Sequence, residues 1–484
     1  MKLYKKDGNV LQIISFPKEN IDKGDYLLID DNYPNKSLIV QVIGIQFASI
    51  PGVLEELLRT FPNDDGNFIG EEFDPLEIAP YTMYIQDTRI LICKIRATLY
   101  NNSITPSTSW LPSRSKSIIR KLSILELLKI AKIKRNRPIT LGQTNDSSSL
   151  IIDAKALDGR LNIITGKKGS GKSHISKLLI SSLIDYNATV VIFDLNGEYS
   201  SLGLSTDSKK NKYFEKIHEL IPSVNFKISL NQLPLNVVMG IMTNALKLPG
   251  ASAREFRRIW KNLQNRKQLS IFELGEAIRN SNCNLHVRDA LLSRYYTLLN
   301  SGFFTNIEKN SYFLDKYIMK TTDKGGAIII NLKNTSNINR TIIVEFVLGK
   351  LINLLSHWKL RAIFLFAEEA HLYLKETYWD DIVTRMRHFG LFTTFITNQP
   401  DTIQDAIYRQ ADNIFLFNFT NEHDLDVVSR AARVDAQTVR SIAVDLPPQH
   451  CLTLGKVVED FPIVTKVKSL NAQTLGETRF FFQE

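Results

Sequence analysis

The sequence has 484 residues, 44% of them hydrophobic and 23% charged, with a formal net charge of +10. That is ordinary for a soluble globular protein and is enough chain for two to four domains. No apolar run is long enough to span a bilayer, no apolar signal segment follows the first lysines, and Cys93, Cys283 and Cys451 lack ligand spacing; a membrane span, a secretory leader and a metal or disulfide framework are therefore set aside, and a reducing cytoplasm is expected.

Residues 1–100 read as short strands at 10–16, 26–29, 38–47 and 81–100, separated by turn signals. Strands without long helices between them predict a small N-terminal β-barrel. The stretch 55–77 is acidic and reads as an exposed loop. Residues 101–137 are expected to be a linker. Its part from 117 onward is basic and amphipathic, with Ile118, Ile119, Leu122, Leu125 and Leu128 at helical spacing. A linker helix with a packed apolar face and a solvated basic face is expected; contact with phosphates is the other reading.

From 138 to 205 the pattern turns to α/β. An apolar strand at 161–164 leads into Gly166-Lys167-Lys168-Gly169-Ser170-Gly171-Lys172-Ser173, and a helix leaves from His174. This fits the phosphate-binding pattern G-x-x-x-x-G-K-[ST]. The glycines let the backbone curl so that N–H groups face a polyphosphate. The helix N-terminus adds a favourable field for anions. Lys172 would place its ammonium on the β- and γ-phosphates, and the Ser173 hydroxyl would ligate Mg²⁺. Gly166, Lys167, Lys168, Gly169, Ser170, Gly171 and His174 complete the expected nucleotide-binding set. A second strand at 189–193 ends in Asp194, with Glu198 four residues on. These acids either reach the nucleotide face or build a turn.

Residues 206–320 read as an α-helical insertion with helices at 251–263, 271–279 and 287–299, and with a basic cluster at Arg254, Arg257, Arg258 and Lys261. The α/β pattern resumes over 321–460, and 461–484 is set aside as a C-terminal extension. The fold class expected is α/β: a P-loop core of RecA-like type with a mostly parallel sheet, a helical insertion and a small barrel. The strand at 362–366 is followed by Glu368 and Glu369, and the strand at 391–397 by Asn398, Gln399 and Pro400. Glu368 would hold the metal through a water, and Glu369 would activate the attacking water. Gln399 either senses the γ-phosphate or positions that water, with helix capping as the plainer reading.

Taken together, these segments resemble the HerA family of hexameric DNA-translocating ATPases, in the superfamily of FtsK. The resemblance rests on the loop at 166–173, on Ile192-Phe193-Asp194-Leu195-Asn196-Gly197-Glu198-Tyr199, on Glu368-Glu369-Ala370-His371, on Arg387-His388-Phe389-Gly390, on Thr397-Asn398-Gln399-Pro400, and on a strand-rich N-terminal region like the family's HAS-barrel. It implies ATP and Mg²⁺ as cofactors, DNA as a partner, and a homo-hexamer. It also implies two arginines acting across subunits: Arg387 before the glycine of its segment, and Arg160 just before the P-loop strand. The arginine that often follows the sensor strand is missing at Gln399-Pro400. One P-loop and one acid pair also separate the chain from DEAH-box helicases, which carry two such cores, so a second copy is expected to complete the site. Translocase or helicase activity, alone or with a partner enzyme such as a NurA-like nuclease or a sirtuin-like NAD hydrolase in DNA processing or antiviral defence, is the leading expectation. A ring-shaped platform regulating a bound effector, or a conjugation- or secretion-type ATPase, is the alternative. The barrel is expected either to dock the partner or to close the ring.

Overall fold

The computed structural model describes residues 1–31, 36–48, 87–101, 103–105, 109–132, 135–306, 314–357, 360–373, 387–419 and 421–473. The N-terminal sheet contains β1 (Lys2–Asp7), β2 (Val10–Ser15), β3 (Tyr26–Asp31), β4 (Lys36–Phe47), β5 (Arg89–Tyr100), β6 (Ser103–Thr105) and β7 (Ile118–Leu122). Its 7-stranded order is β1-β2-β5-β4-β3-β7, with β6 beside β5. Every pairing is antiparallel. The end strands β1 and β7 touch, so the sheet curls into the small barrel expected. Alternate residues turn inward: Leu11 and Ile13, Leu38, Val40 and Val42, Leu91, Cys93 and Ile95 share one core. The acidic stretch 55–77 lies outside the described residues.

The expected linker helix is corrected by the structure. Ile118–Leu122 is strand β7, paired with β3 from Asp30↔Ile118 to Tyr26↔Leu122. The helix α1 spans only Ile124–Ile130. The β-branched pair Ile118 and Ile119 suits a pleated strand. Helix begins only where Ser123 accepts from the Glu126 amide, half of a capping box. Part of the basic surface is spent internally: Arg120 grips Glu126 at 2.6 and 2.9 Å, and Lys121 pairs with Asp25.

The large sheet contains β8 (Pro138–Gln143), β9 (Ser149–Asp153), β10 (Asn162–Thr165), β11 (Thr189–Asp194), β12 (Ile217–Leu220), β13 (Gly326–Asn331), β14 (Ile363–Glu368), β15 (Leu391–Thr397), β16 (Asn413–Leu416), β17 (His450–Gly455) and β18 (Ile463–Val467). Its 11-stranded order is β12-β13-β11-β14-β15-β10-β16-β17-β18-β8-β9. Neighbours from β12 to β16 run parallel. The remainder is an antiparallel wing. In the parallel part alternate residues enter two different cores: Ile163, Val191 and Phe193 on one face, Ile164, Val190 and Ile192 on the other. Both faces are therefore covered, by α2 (Lys172–Asp185), α3 (Leu235–Gly240), the insertion helices α4 (Gly250–Asn265), α5 (Ile271–Arg279) and α6 (Leu285–Asn300), α7 (Leu314–Lys324), α8 (Asn337–Ser356), α9 (Glu422–Ala431) and α10 (Ala436–Ala443).

Two core strands lie outside the stretches assigned to the core from sequence. β12 falls inside the segment read as helical. Its His218 and Glu219 sit half-exposed on an edge strand, so the apolar period is short. β18 falls beyond 460, where Ile463, Thr465 and Val467 alternate inward. That wing carries the barrel. Tyr26, Leu28, Ile39 and Ala97 face out of the barrel into the core shared with Ile139, Leu150 and Ile463. The Tyr26 hydroxyl and the Gln41 amide both donate to the Pro462 carbonyl, at 2.9 and 2.8 Å. Burying an aliphatic side chain such as Leu28 or Ile39 at this joint contributes about 1.5–3 kcal/mol each.

Candidate active site

The parallel strands deliver their carboxyl ends to one edge of the sheet, where such folds place ligands. β10 runs into the glycine loop. Gly166, Gly169 and Gly171 have φ of +155°, +76° and +118°. A Cβ on Gly166 would lie 2.4 Å from the Phe417 Cβ, so only glycine fits there. Among the described residues the amides of Gly169, Gly171, Lys172 and Ser173 have no backbone acceptor, as the start of a helix requires. Lys172 is 9% exposed. Its Nζ donates to the carbonyls of Gly166 and Lys167 at 2.8 and 3.0 Å, which sets the ammonium across the mouth of the loop. Burial pulls its pKa down, and Glu369, Glu368 and Glu198 oppose that.

β14 ends in the acid pair. Glu368 is 3% exposed, and its Oε2 accepts from the amides of Leu195 and Asn196 at 3.2 and 3.3 Å. Burial, followed by the charges of Asp194 and Glu198, pushes its carboxyl well above the usual range. Glu369 sits at φ 44°, ψ 45°, a left-handed conformation that costs a non-glycine residue of order 1–3 kcal/mol. Its amide is tied to the Ile396 carbonyl at 2.8 Å. Its Oε2 faces the Asn398 amide at 3.4 Å and His371 Nδ1 at 3.6 Å, and that ring nitrogen lies 3.3 Å from Thr397 Oγ1. Burial raises the Glu369 pKa, held back first by Lys172.

These groups line one cleft of about 320 Å³. It brings together Lys168, Gly169, Lys172, Ser173, Glu368, Glu369 and Gln399 from the expected set, and adds Asn196, Glu198, His371 and Asn398. Asp194 takes the turn-building role: it accepts from the amides of Gly197, Glu198 and Tyr199 at 2.7, 3.0 and 3.0 Å, leaving Glu198 to the cleft. Gly166, Lys167, Ser170 and Gly171 shape the loop without lining the cleft. His174 points elsewhere, with its Nε2 2.7 Å from the Lys468 carbonyl.

Arg160 and Arg387 stand apart. Arg160 precedes β10 and Arg387 precedes β15, so both lie where the strands begin. At about 3.3 Å per residue Arg160 is roughly 20 Å along the strand from Gly166. Arg387 Nη1 pairs with Asp412 Oδ2 at 3.1 Å, and Arg433 Nη2 reaches the other oxygen, Oδ1, at 3.3 Å. No arginine is among the described residues that line the cleft. Asp412 and Arg433 belong to no motif. Their only signal is spatial. His371 and Asn398 stood within quoted segments, with nothing to mark them.

Comparison with known proteins covers the same core. Residues 139–351 match the family described as Helicase HerA, central domain. The DNA double-strand break repair helicase HerA of Saccharolobus solfataricus is 20% identical over 338 residues, 65% of this chain and 65% of that one. The chain thus spans just under two thirds of that relative's length. A probable helicase of Methanocaldococcus jannaschii is 20% identical over 392 residues, 73% of this chain and 71% of its own. Among solved structures, the plasmid coupling protein TrwB in complex with a non-hydrolysable GTP analogue superposes with a TM-score of 0.52 at 13% identity, over 74% of this chain and 95% of that one. TrwB in complex with ADP and Mg²⁺ gives 0.51 at 12% identity, over 74% and 94%. The likeness to TrwB is one of fold.

Proposed function

We propose that the chain is a HerA-like P-loop ATPase that couples ATP hydrolysis to movement of DNA as a homo-hexameric ring, with a partner enzyme docked on its barrel. The cleft carries this reading. It offers a phosphate loop, two lysines, a serine and three carboxylates, yet among its described lining residues it has no arginine to meet the charge that develops on a transferring phosphoryl group. The missing cations stand on the opposite edge of the same strands, as a head-to-tail ring requires.

Within the cleft, the free amides of the loop and Lys172 bind the phosphates, and Ser173 with Glu368 is placed to hold Mg²⁺, Glu368 through water. Among the described residues no cluster of His, Cys, Asp and Glu could bind a metal alone, which suits an ion that arrives with its nucleotide. Bound there, Mg²⁺ would supply neutralisation of the phosphates' charge. Glu369 takes the proton from the attacking water, and Gln399 faces the γ-phosphate. Lys168 bounds the nucleotide from the loop side, Lys167 and Ser170 shape the loop behind it, and His174, turned to the Lys468 carbonyl, takes no part. Arg387 and Arg160 act on the nucleotide of the neighbouring copy.

We assign the barrel to 1–100 and β7, the insertion to the helices between β12 and β13, and the ATPase core to the rest. Among the described residues no helix is long and apolar enough to cross a membrane, and we place the protein in the cytoplasm. DNA would bind through backbone phosphates, with Arg254 and Arg257 of α4 as contacts. The deciding experiment is steady-state ATPase of the isolated protein with and without DNA. Stimulation by DNA of any sequence supports translocation. Turnover indifferent to DNA but altered by a co-purified enzyme sinks it in favour of the effector platform.

A further inference from the structure

Asp412 stands immediately before β16 and is 8% exposed. The backbone fixes it. Its amide donates to the Leu161 carbonyl at 2.9 Å, its carbonyl accepts from Lys456 at 3.1 Å, and its Oδ2 accepts from the Leu161 amide at 3.1 Å. The same carboxylate meets Arg387 at 3.1 Å and Arg433 at 3.3 Å, one through each oxygen. One arginine would neutralise it; the second leaves a surplus positive charge, and Arg160, next to Leu161, adds to that surplus. The acid is inside and the cations look out: the side chain of Asp412 is 10% exposed, those of Arg387 and Arg433 40% and 44%. A guanidinium carries five N–H donors, and among the described residues each of these two is held through a single terminal nitrogen. The remaining donors make no hydrogen bond to the described residues.

The loop bearing Arg433, between α9 and α10, is pinned at its other end as well. Asp435 accepts from Arg96 Nη1 of the barrel at 2.9 Å, and Arg96 Nη2 also donates to Thr438 Oγ1 at 2.7 Å. Such a guanidinium is held in place before any ligand arrives, which is the arrangement that stabilises developing charge without reorganisation. What it would complement is a cleft such as the one described, which has a phosphate-binding loop beside Glu198, Glu368 and Glu369 and lacks arginine among its described lining.

We propose that Arg433 is a further arginine, beside Arg387 and Arg160, presented to the nucleotide phosphates of a neighbouring copy, and that Asp412 is the positioning residue that spaces it from Arg387. This rests on the reading that Arg387 acts between subunits. A carboxylate that joins two guanidiniums through its two oxygens sets them side by side, so that they meet neighbouring phosphate oxygens together.

The test uses the full chain in assembled rings. Arg433→Ala, Arg433→Lys, Asp412→Asn and, as reference, Arg387→Ala are measured for kcat and KM with ATP. Each is then mixed with Glu369→Gln subunits, which supply intact arginines and no base. Arg433→Ala should lower kcat by about 10²-fold, the scale of one lost donor to a developing anion, with KM little changed. Arg433→Lys should recover only part, because the charge returns without the fork. Mixing should restore activity to the Arg433 and Asp412 variants as it does to Arg387→Ala. Wild-type kcat in Arg433→Ala overturns the proposal. So does a defect that mixing leaves in place while Arg387→Ala is rescued, for the residue then serves its own subunit. If Arg387→Ala is not rescued either, the reading that Arg387 acts between subunits has failed first. Should Asp412→Asn not fold, the half-exposed Arg433 carries the test alone.

Discussion

The two edges of the parallel sheet are chemical opposites. At the carboxyl ends of β10, β11, β14 and β15 stand two lysines, a serine and three glutamates around a cleft. At the amino ends of β10 and β15 stand Arg160 and Arg387, and Arg433, from the loop between α9 and α10, shares the buried Asp412 with Arg387. Neither edge is a whole phosphoryl-transfer site. The first has the loop and the acids; the second has the cations. Parallel strands impose this separation, since a residue that begins a strand cannot reach one that ends it. On the proposed reading each copy holds half of two sites, and hydrolysis is a property of the contact between copies.

The largest effect should come from breaking the cleft edge. Lys172→Ala removes the ammonium that crosses the loop mouth, and ATP turnover should fall below detection while the melting temperature stays near wild type. Retained turnover would mean that the loop is not the phosphate site. Next comes the other edge. Arg387→Ala should cut kcat by roughly 10³–10⁵-fold, the scale of an arginine supplied to a phosphoryl group from outside its own site. A loss seen in a forced monomer as much as in the ring would end the comparison, because Arg387 would then serve its own cleft. Smaller again is Glu369→Gln, which removes only the base and should cost about 10²–10⁴-fold while a fluorescent ATP analogue still binds. Turnover near the wild-type rate would show the base assignment to be wrong.

The edges also differ in how they could be read from sequence. The cleft was legible because its chemistry demands particular residue types in one contiguous stretch. Gly166, Gly169 and Gly171 all adopt positive φ, and Glu368 and Glu369 follow a wholly apolar strand. The opposite edge is assembled from afar. Asp412 is held by the Leu161 amide, 251 residues earlier, and before the structure it was one more polar residue flanking a strand. Arg387 was found by resemblance, Arg433 not at all. The same physics explains the fold. The insertion helices were read nearly to their ends because α4 keeps an apolar face at Phe256, Ile259, Trp260 and Leu263. β7 was read as helix because Ile118, Ile119 and Leu122 satisfy both periods, and only pairing with β3 decides between them.

The smallest effect on either edge is expected from the surface of α4, and there the comparison sharpens. Arg254 and Arg257 are exposed on the helix face away from Phe256 and Trp260, and neither makes an ion pair with the described residues, whereas Arg258 is held by Glu255 at 2.6 Å. If both edges of the sheet serve hydrolysis and α4 serves DNA, then Arg254→Gln with Arg257→Gln should leave ATP turnover without DNA at the wild-type value. Binding to duplex DNA should nevertheless weaken. Each lost phosphate contact takes about 0.9 from the slope of log affinity against log salt, so the double variant should be shallower by about 1.8. The measurement is a salt titration of duplex affinity for both proteins on two unrelated sequences. An unchanged slope would remove α4 from the DNA path. A changed basal turnover would show that the insertion bears on the ATPase edges, and the division of labour drawn between the two ends of the strands and the helices beyond them would be wrong.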